Sequence, residues 1–254
     1  MIYRMFMQED LRKDRLPAHI AVIMDGNGRW AEQRHKDRVF GHQHGVGAVR
    51  EICEASAELG IKYLTLFTFS TENWSRPAHE VSALMNLLVV TLIGELDTLM
   101  KNQISFQVFG DLDRLPSDCI KQLLKTSEMT MGNPGMQLNL AISYSARWEI
   151  VNAARLLSRQ VKEGLIDPEE IDEKMLGSFM LTHSMPDPEL LIRTSGEKRI
   201  SNFMLWQLAY SELFFSEKCW PDFTKEDLYL AISDYQSRER RFGLTSQQIQ
   251  KLSK

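Results

Sequence analysis

The sequence predicts an α/β fold, a single domain in which a mostly parallel central sheet is covered by helices on both faces. Three observations lead there. Short runs of aliphatic and β-branched residues alternate with longer segments of helical period. Those runs are apolar nearly throughout instead of at every second residue, which is the pattern of strands buried on both sides. The polar clusters come just after the runs, at the carboxyl edge where open α/β sheets hold their ligands.

In chain order the runs are IAVIMD (20–25), YLTLFTFS (63–70), ISFQVFGD (104–111), MQLNLAIS (136–143) and LLIRT (190–194), each read as a strand. Helices are expected near 45–59, 80–101, 117–131, 147–163 and 224–242, where the apolar spacing is helical. Gly60 follows the first of these and Gly243 the last, each as a helix stop that accepts a left-handed conformation. The segment 80–100 is apolar on nearly every face, the mark of a buried helix or of one that walls a tunnel for an apolar tail. Asp25, Ser70, Asp111, Tyr144 and Arg193 fall at or just after strand ends. Residues 1–16 read as an N-terminal arm, 17–243 as the folded domain and 244–254 as a C-terminal tail.

The 254 residues carry 43% hydrophobic and 25% charged side chains and a formal net charge of −4. No overall field draws such a chain to nucleic acid, and any anion has to be held by local clusters. Cys53, Cys119 and Cys219 are dispersed, form no zinc-like spacing and suit a reducing compartment. The N-terminal residues contain no apolar stretch of signal-peptide length, and a cytoplasmic location is expected. Asn86, Gly94, Glu95 and Asp97 interrupt the apolar segment 81–99, which is therefore not expected to span a bilayer.

After the first strand comes Asp25-Gly26-Asn27-Gly28-Arg29-Trp30-Ala31, in which two glycines free the backbone to donate N–H groups to an anion. The same letters fit a dinucleotide fingerprint or a plain tight turn. The carboxylate of Asp25 and the lack of an acidic residue at the end of the next strand speak against the dinucleotide. A carboxylate beside phosphates makes sense with a Mg2+ ion between them. No G-x-x-x-x-G-K-[ST] motif is present, which removes a P-loop nucleotidase. Arg38 and His42 are four apart, so on a helix they share a face and can hold a diphosphate together.

Ser70-Thr71-Glu72-Asn73-Trp74-Ser75-Arg76 follows the second strand, and helix capping accounts for Ser70 or Thr71 but not for Trp74 or Arg76. After the fifth strand the segment 193–202 joins Arg193 and Arg199 to a glycine and hydroxyls, a second anion site. Two anion sites and an apolar helix at one sheet edge point to lipid diphosphates.

Together HIAVIMDGNGRWA (19–31), RVFGH (38–42), LTLFTFSTENWSRP (64–77), EVSALM (80–85), IRTSGEKRISNFMLWQLAYSELFF (192–215), WPDF (220–223) and RERRFG (238–243) closely resemble the undecaprenyl diphosphate synthase family of cis-prenyltransferases. The resemblance is collinear from about His19 to Gly243 and marks 17–243 as a catalytic domain. It implies that Asp25 is catalytic and holds Mg2+, with Glu212 as a second metal contact. Gly26, Asn27, Gly28, Arg29, Arg38 and His42 would bind the allylic diphosphate, with Trp30 and Trp74 bordering the site. Ser70, Thr71, Glu72, Asn73 and Arg76 match a substrate loop in which Asn73 is the proton acceptor. A neutral amide is a poor base, so orienting a water or a diphosphate oxygen is the better role for it. Arg193, Arg199, Ile200 and Ser201 match the isopentenyl diphosphate site.

The resemblance further implies a homodimer with Arg241-Phe242-Gly243 near a diphosphate across the interface. Arg238, Arg240 and Arg241 read equally well as a basic helix end. Farnesyl diphosphate is the expected primer and undecaprenyl diphosphate, the lipid carrier precursor of bacterial cell-wall synthesis, the expected product, with peripheral contact at the inner face of the membrane for its release. A shorter product, or a non-catalytic subunit that binds polyprenyl diphosphates, is the alternative. A trans-prenyltransferase is set aside, because the chain has no Asp-Asp dipeptide and alternates strands with helices. Four positions depart from the family pattern: Lys198 stands where a histidine is often found, Ser145-Ala146 replaces a glycine pair, and His35 a glycine.

Overall fold

A computed structural model describes residues 8–245 together with 247 and 248. Six parallel strands make one sheet: β1 (His19–Ile23), β2 (Tyr63–Ser70), β3 (Ser105–Phe109), β4 (Gln137–Tyr144), β5 (Leu190–Arg193) and β6 (Glu212–Phe215). Their order is β3-β4-β2-β1-β5-β6. The chain starts near the centre, works outward on one flank, and then crosses to the other flank for β5 and β6. That reversal leaves a crevice beyond the carboxyl end of β1, and Asp25 is placed there.

The helices are α1 (Asn27–Glu32), α2 (Arg38–Leu59), α3 (Ala78–Lys101), α4 (Ser117–Thr130), α5 (Ala146–Lys162), α6 (Glu173–Ser178) and α7 (Lys225–Ser237). Side chains of β1 alternate between two cores. Ile20 and Val22 join Leu64, Leu138 and Ile192 on the face covered by α2, α3, α4 and α7. Ala21 and Ile23 join Ala141, Tyr144, Leu191 and Phe203 on the face reached by α5 and the segment after β5. Burying strands on both sides is what their unbroken apolar runs require, and the expected α/β architecture is present.

The five expected strands appear within two residues at each end, and Gly60 caps α2 in the left-handed conformation (φ 84°). Four differences have physical causes. β6 is only four residues long and carries no alternation of its own. α1 and α6, six residues each, are too short for a helical period to show. α2 begins at Arg38 instead of Gly45, its apolar period diluted by Gly41, Gly45 and Gly47. Two of those glycines are required by packing onto α1: a Cβ on Gly41 would lie 1.9 Å from the carbonyl oxygen of Asn27, and one on Gly45 2.4 Å from Asn27 Oδ1. α7 stops at Ser237 instead of 242, because Arg238 turns extended and donates to Glu212 at 2.8 Å and to the Leu213 carbonyl at 3.0 Å. Arg240 and Arg241 therefore lie beyond the helix and not in its last turn.

α3 is not buried all round. Val81, Met85, Leu92 and Leu99 face inward, while Val90 and Ile93 are 67% and 59% exposed. Among the described residues it is the one helix long and apolar enough to cross a membrane, and here it packs along α2 and α4. The described part of the N-terminal arm is docked: Leu11 is buried, Arg12 N–H donates to Gln236 Oε1 at 3.0 Å, and Gln236 Nε2 donates back to the Arg12 carbonyl at 2.8 Å. Residues 1–7 of that arm and most of the tail 244–254 lie outside the described residues.

Candidate active site

The turn from β1 into α1 is made by Gly26 at φ 100°, where a Cβ would meet Cys219 Sγ and Ser195 Cβ at 2.9 Å, so only glycine fits. Its N–H donates to Asp25 Oδ1 at 2.7 Å. The other oxygen of Asp25 accepts from Arg193 Nη2 at 2.7 Å and lies 3.7 Å from Arg29. Burial pushes the Asp25 carboxyl up. The Arg193 bond and charge, the Gly26 N–H and Arg29 outweigh it and hold the group below the usual carboxylate range. Asp25 is thus ionised at neutral pH.

Arg193 joins the two expected anion sites. One side of its guanidinium holds Asp25, and the other donates to the Arg199 carbonyl at 2.5 Å and to Ser201 Oγ at 2.6 Å. Its Nε is buried without a partner. Arg29 crosses the same gap, donating to Ser195 Oγ at 2.6 Å and lying 3.2 Å from Glu197.

Arg38 and His42 do share the first turn of α2. Arg76, just ahead of α3, donates to Glu80 at 3.0 Å, and Arg38 Nε lies 3.6 Å from the same oxygen. Buried Glu80 therefore sets two arginines side by side. Burial, with Arg76 and Arg38 nearby, pushes His42 down to about 4 against the opposing pull of Glu80, so its imidazole is neutral at pH 7. Ser70 and Asn73 form a reciprocal cap, in which Asn73 Oδ1 accepts the Ser70 N–H at 3.0 Å.

A cavity of about 670 Å³ opens here. Its mouth is lined by Asp25, Gly26, Asn27, Gly28, Arg29, Arg38, His42, Ser70, Asn73, Arg76, Arg193, Arg199 and Ser201, with five arginines among them. Beyond the mouth it is walled by Leu84, Leu87, Leu88, Leu92 and Leu99 of α3 and by Phe106, Leu138 and Leu140 of the sheet. Met85 and Met136 are buried core residues and do not line it.

Six expected site residues do not line the cavity either. Trp30 donates to Asp222 at 2.8 Å and Trp74 to Ser143 at 3.0 Å, so both brace the loops from behind. Thr71 donates to Ser145 at 2.8 Å, Glu72 accepts from Asn202 at 2.8 Å, and Ile200 packs on the smaller core. These contacts tie the loop after β2 to the end of β4 and to the loop after β5. Glu212 opens β6 in register with Leu190 and Ile20, at the opposite end of the sheet, and pairs with Arg238. That is roughly 15 Å from Asp25 along the strands and about 10 Å across them, so one chain does not bring the two carboxylates together. Asp111 and Tyr144 also lie off the cavity.

Two residues escaped the sequence reading. Glu80 had a legible signal in its i,i+4 spacing from Arg76 at a helix start. Glu197 lines the mouth and pairs with Arg29 and Arg199, a role that spacing alone does not reveal.

The family model described as "Putative undecaprenyl diphosphate synthase" matches residues 23–243. An isoprenyl transferase of Chlorobaculum tepidum is 56% identical over 92% of this chain and 88% of its own length. A ditrans,polycis-undecaprenyl-diphosphate synthase of Aliivibrio fischeri, specific for (2E,6E)-farnesyl diphosphate, is 48% identical over 96% and 95% of the two chains. The crystal structure of lavandulyl diphosphate synthase from Lavandula x intermedia, in complex with dimethylallyl diphosphate, superposes with a TM-score of 0.88 at 37% identity, covering 91% of this chain and 99% of that one. An arginine-rich mouth leading into an apolar cavity, a model match across nearly the whole fold and relatives of this identity give one conclusion: the chain belongs to the undecaprenyl diphosphate synthase family and is a cis-prenyltransferase.

Proposed function

We propose that this enzyme condenses isopentenyl diphosphate with an allylic diphosphate, using farnesyl diphosphate as primer, and keeps the growing chain in the cavity to give undecaprenyl diphosphate for cell-wall synthesis. The observation that carries the reading is a single chamber with five arginines at its mouth and leucines from α3 along its length. The farnesyl specificity of the Aliivibrio relative supports the choice of primer.

In the reaction the allylic C–O bond breaks as diphosphate leaves, the isopentenyl double bond attacks the allylic carbon, and a proton is lost. Gly26, Asn27, Gly28, Arg29, Arg38, His42 and Arg76 hold the leaving diphosphate, and Arg193, Arg199 and Ser201 hold that of the isopentenyl unit. Charge that develops on the leaving group meets fixed guanidinium groups, which need no reorganisation. Neutral His42 donates an N–H without adding a further cation. Asn73 has its oxygen engaged by Ser70, so its nitrogen orients a water or diphosphate oxygen, and that oxygen takes the proton.

The site fits a Mg2+ ion. Among the described residues no three His, Cys, Asp or Glu cluster, but Mg2+ is commonly held by one or two carboxylates with substrate oxygens and waters, and Asp25 is ionised beside the mouth. When bound, the ion neutralises charge on the departing diphosphate. In this reading the enzyme works in the cytoplasm as a homodimer and delivers its product at the inner face of the membrane.

Purified protein incubated with farnesyl diphosphate, labelled isopentenyl diphosphate and Mg2+ should give a labelled polyprenyl diphosphate of eleven units on thin-layer analysis. Incorporation ending after a few units would favour a shorter product. Binding of both substrates with no incorporation would leave only a carrier subunit.

A further inference from the structure

We propose that the Arg50–Glu95 ion pair is a clasp that holds α2 to α3 over the tail cavity and so limits how far the product grows. The inference rests on the prenyl-transfer reading above. At about 30 Å³ for each water-sized group, 670 Å³ takes roughly 22 heavy atoms, close to the size of farnesyl diphosphate. A chain of many more isoprene units fills this space and presses on its walls as it grows.

The sheet side of the cavity cannot yield cheaply, because Leu66, Phe106, Leu138 and Leu140 belong to hydrogen-bonded strands in the core. α2 and α3 are joined through side chains, and the outward residues Val90 and Ile93 of α3 are exposed, so this face of the helix is free to move outward, with α4, which also packs along α3, moving with it. Across this seam Arg50 Nε donates to both oxygens of Glu95, at 3.1 and 2.9 Å, and Nη2 donates to one of them as well. Both residues line the cavity.

Depth places the pair where it would matter. Arg50 comes twelve residues after Arg38 on α2, about 18 Å along the helix from the diphosphate end. An extended chain advances about 1.1 Å per bond, so the main chain of a farnesyl tail reaches roughly 13 Å. The clasp lies just past that point, where added five-carbon units would first press.

The pair is built to hold and still to part. Its fork makes it stronger than an ordinary surface pair, while the Arg50 side chain is 52% exposed, so water can take up the guanidinium when the two separate. Glu54, one turn further along α2, also favours the charge on Arg50, so the guanidinium has a second partner when α3 moves outward.

The test compares Glu95→Gln, Arg50→Gln, the double variant and Arg50→Lys with the parent. The first condensation, measured with farnesyl diphosphate and limiting isopentenyl diphosphate, should stay within about threefold in all of them. With excess isopentenyl diphosphate, each single Gln variant should make products longer by one or more units. The double variant should go no further than either single, and Arg50→Lys, which keeps charge without the fork, should fall between. Parent-like or shorter products beside a normal first condensation would overturn the clasp. Failure of the parent to condense at all would instead overturn the reaction on which it rests. A variant that loses its thermal unfolding transition is replaced by Arg50→Lys, and unchanged lengths there count against the clasp.

Discussion

At the mouth of the cavity nearly every group has two constraints: Asp25 is held by a backbone N–H and a guanidinium, Arg193 spans both anion sites, and Arg38 and Arg76 meet at buried Glu80. Along the tail half the walls are mostly leucines, among them Leu88, Leu92, Leu138 and Leu140, with the Arg50–Glu95 pair between two helices, and α3 there has an exposed back. On the proposed function, the head of a substrate would be read by main-chain geometry and charge, which tolerate little change. The tail would be read by volume, which tolerates much. Chemistry and product length should then be separable, each open to alteration without the other.

The largest effect should come from the mouth. Asp25→Ala is expected to lower kcat by about 10²- to 10³-fold, the scale of removing one preorganised electrostatic group, while circular dichroism and Tm stay close to the parent. Near-parental turnover with Mg2+ would show that the carboxylate is not part of the machinery.

Gly41→Ala comes next, with Gly47→Ala as its contrast on the same helix. The Cβ at position 41 would sit 1.9 Å from a backbone oxygen, and overpacking of that kind costs about 3 kcal/mol or more. At position 47 nothing lies within 4 Å, so alanine there should stabilise by about 0.5–1 kcal/mol through helix propensity. Urea unfolding of both variants checks the pair, and equal effects would mean that the contact between α1 and α2 is loose.

In the tail half, Leu88→Trp and Leu92→Trp should each shorten the product while sparing the first condensation, since bulk is added far from the arginines. Mass analysis of the products decides. An unchanged length distribution would show that the tail bypasses α3.

The smallest effect expected is a pH slope. His42 and His19 are both held near 4 in the folded chain, chiefly by burial, below an unfolded value of about 6.5. The unfolded chain then binds more protons between those values. The stability from this source is therefore complete above pH 6.5 and is lost as pH falls towards 4. His42→Asn should flatten part of that slope in thermal unfolding followed from pH 7 to 4.5, and His19, fully buried, should keep the rest. A slope unaltered by the substitution would mean that His42 is already charged in the folded state.

The strands were legible because burial on both faces leaves an unbroken apolar run. The residues that gather at the cavity mouth were legible because glycines, arginines and a carboxylate placed after strands have few other uses. What stayed hidden depends on contacts between distant segments. The early start of α2 is visible only once Asn27 is seen filling the space that Gly41 and Gly45 leave. Trp30 and Trp74 were expected from the family resemblance to border the site, and only the folded chain shows that their N–H groups are used on Asp222 and Ser143. Glu212 shares a conspicuous motif, and only the register of β6 shows that it lies at the opposite end of the sheet from Asp25 of the same chain. Arg50 and Glu95, 45 positions apart, gave no local sign of each other.

The closeness of Gly41 to the Asn27 carbonyl has a pharmacological side. A compound that mimics the head group would rest on side chains already fixed by ion pairs and on a turn whose shape the chain cannot change without losing the junction of α1 and α2. Resistance to such a compound would be hard to acquire, and selectivity among related enzymes hard to achieve. A compound directed along α3 would meet the reverse on both counts: side chains free to differ from one relative to the next, and equally free to mutate away from it.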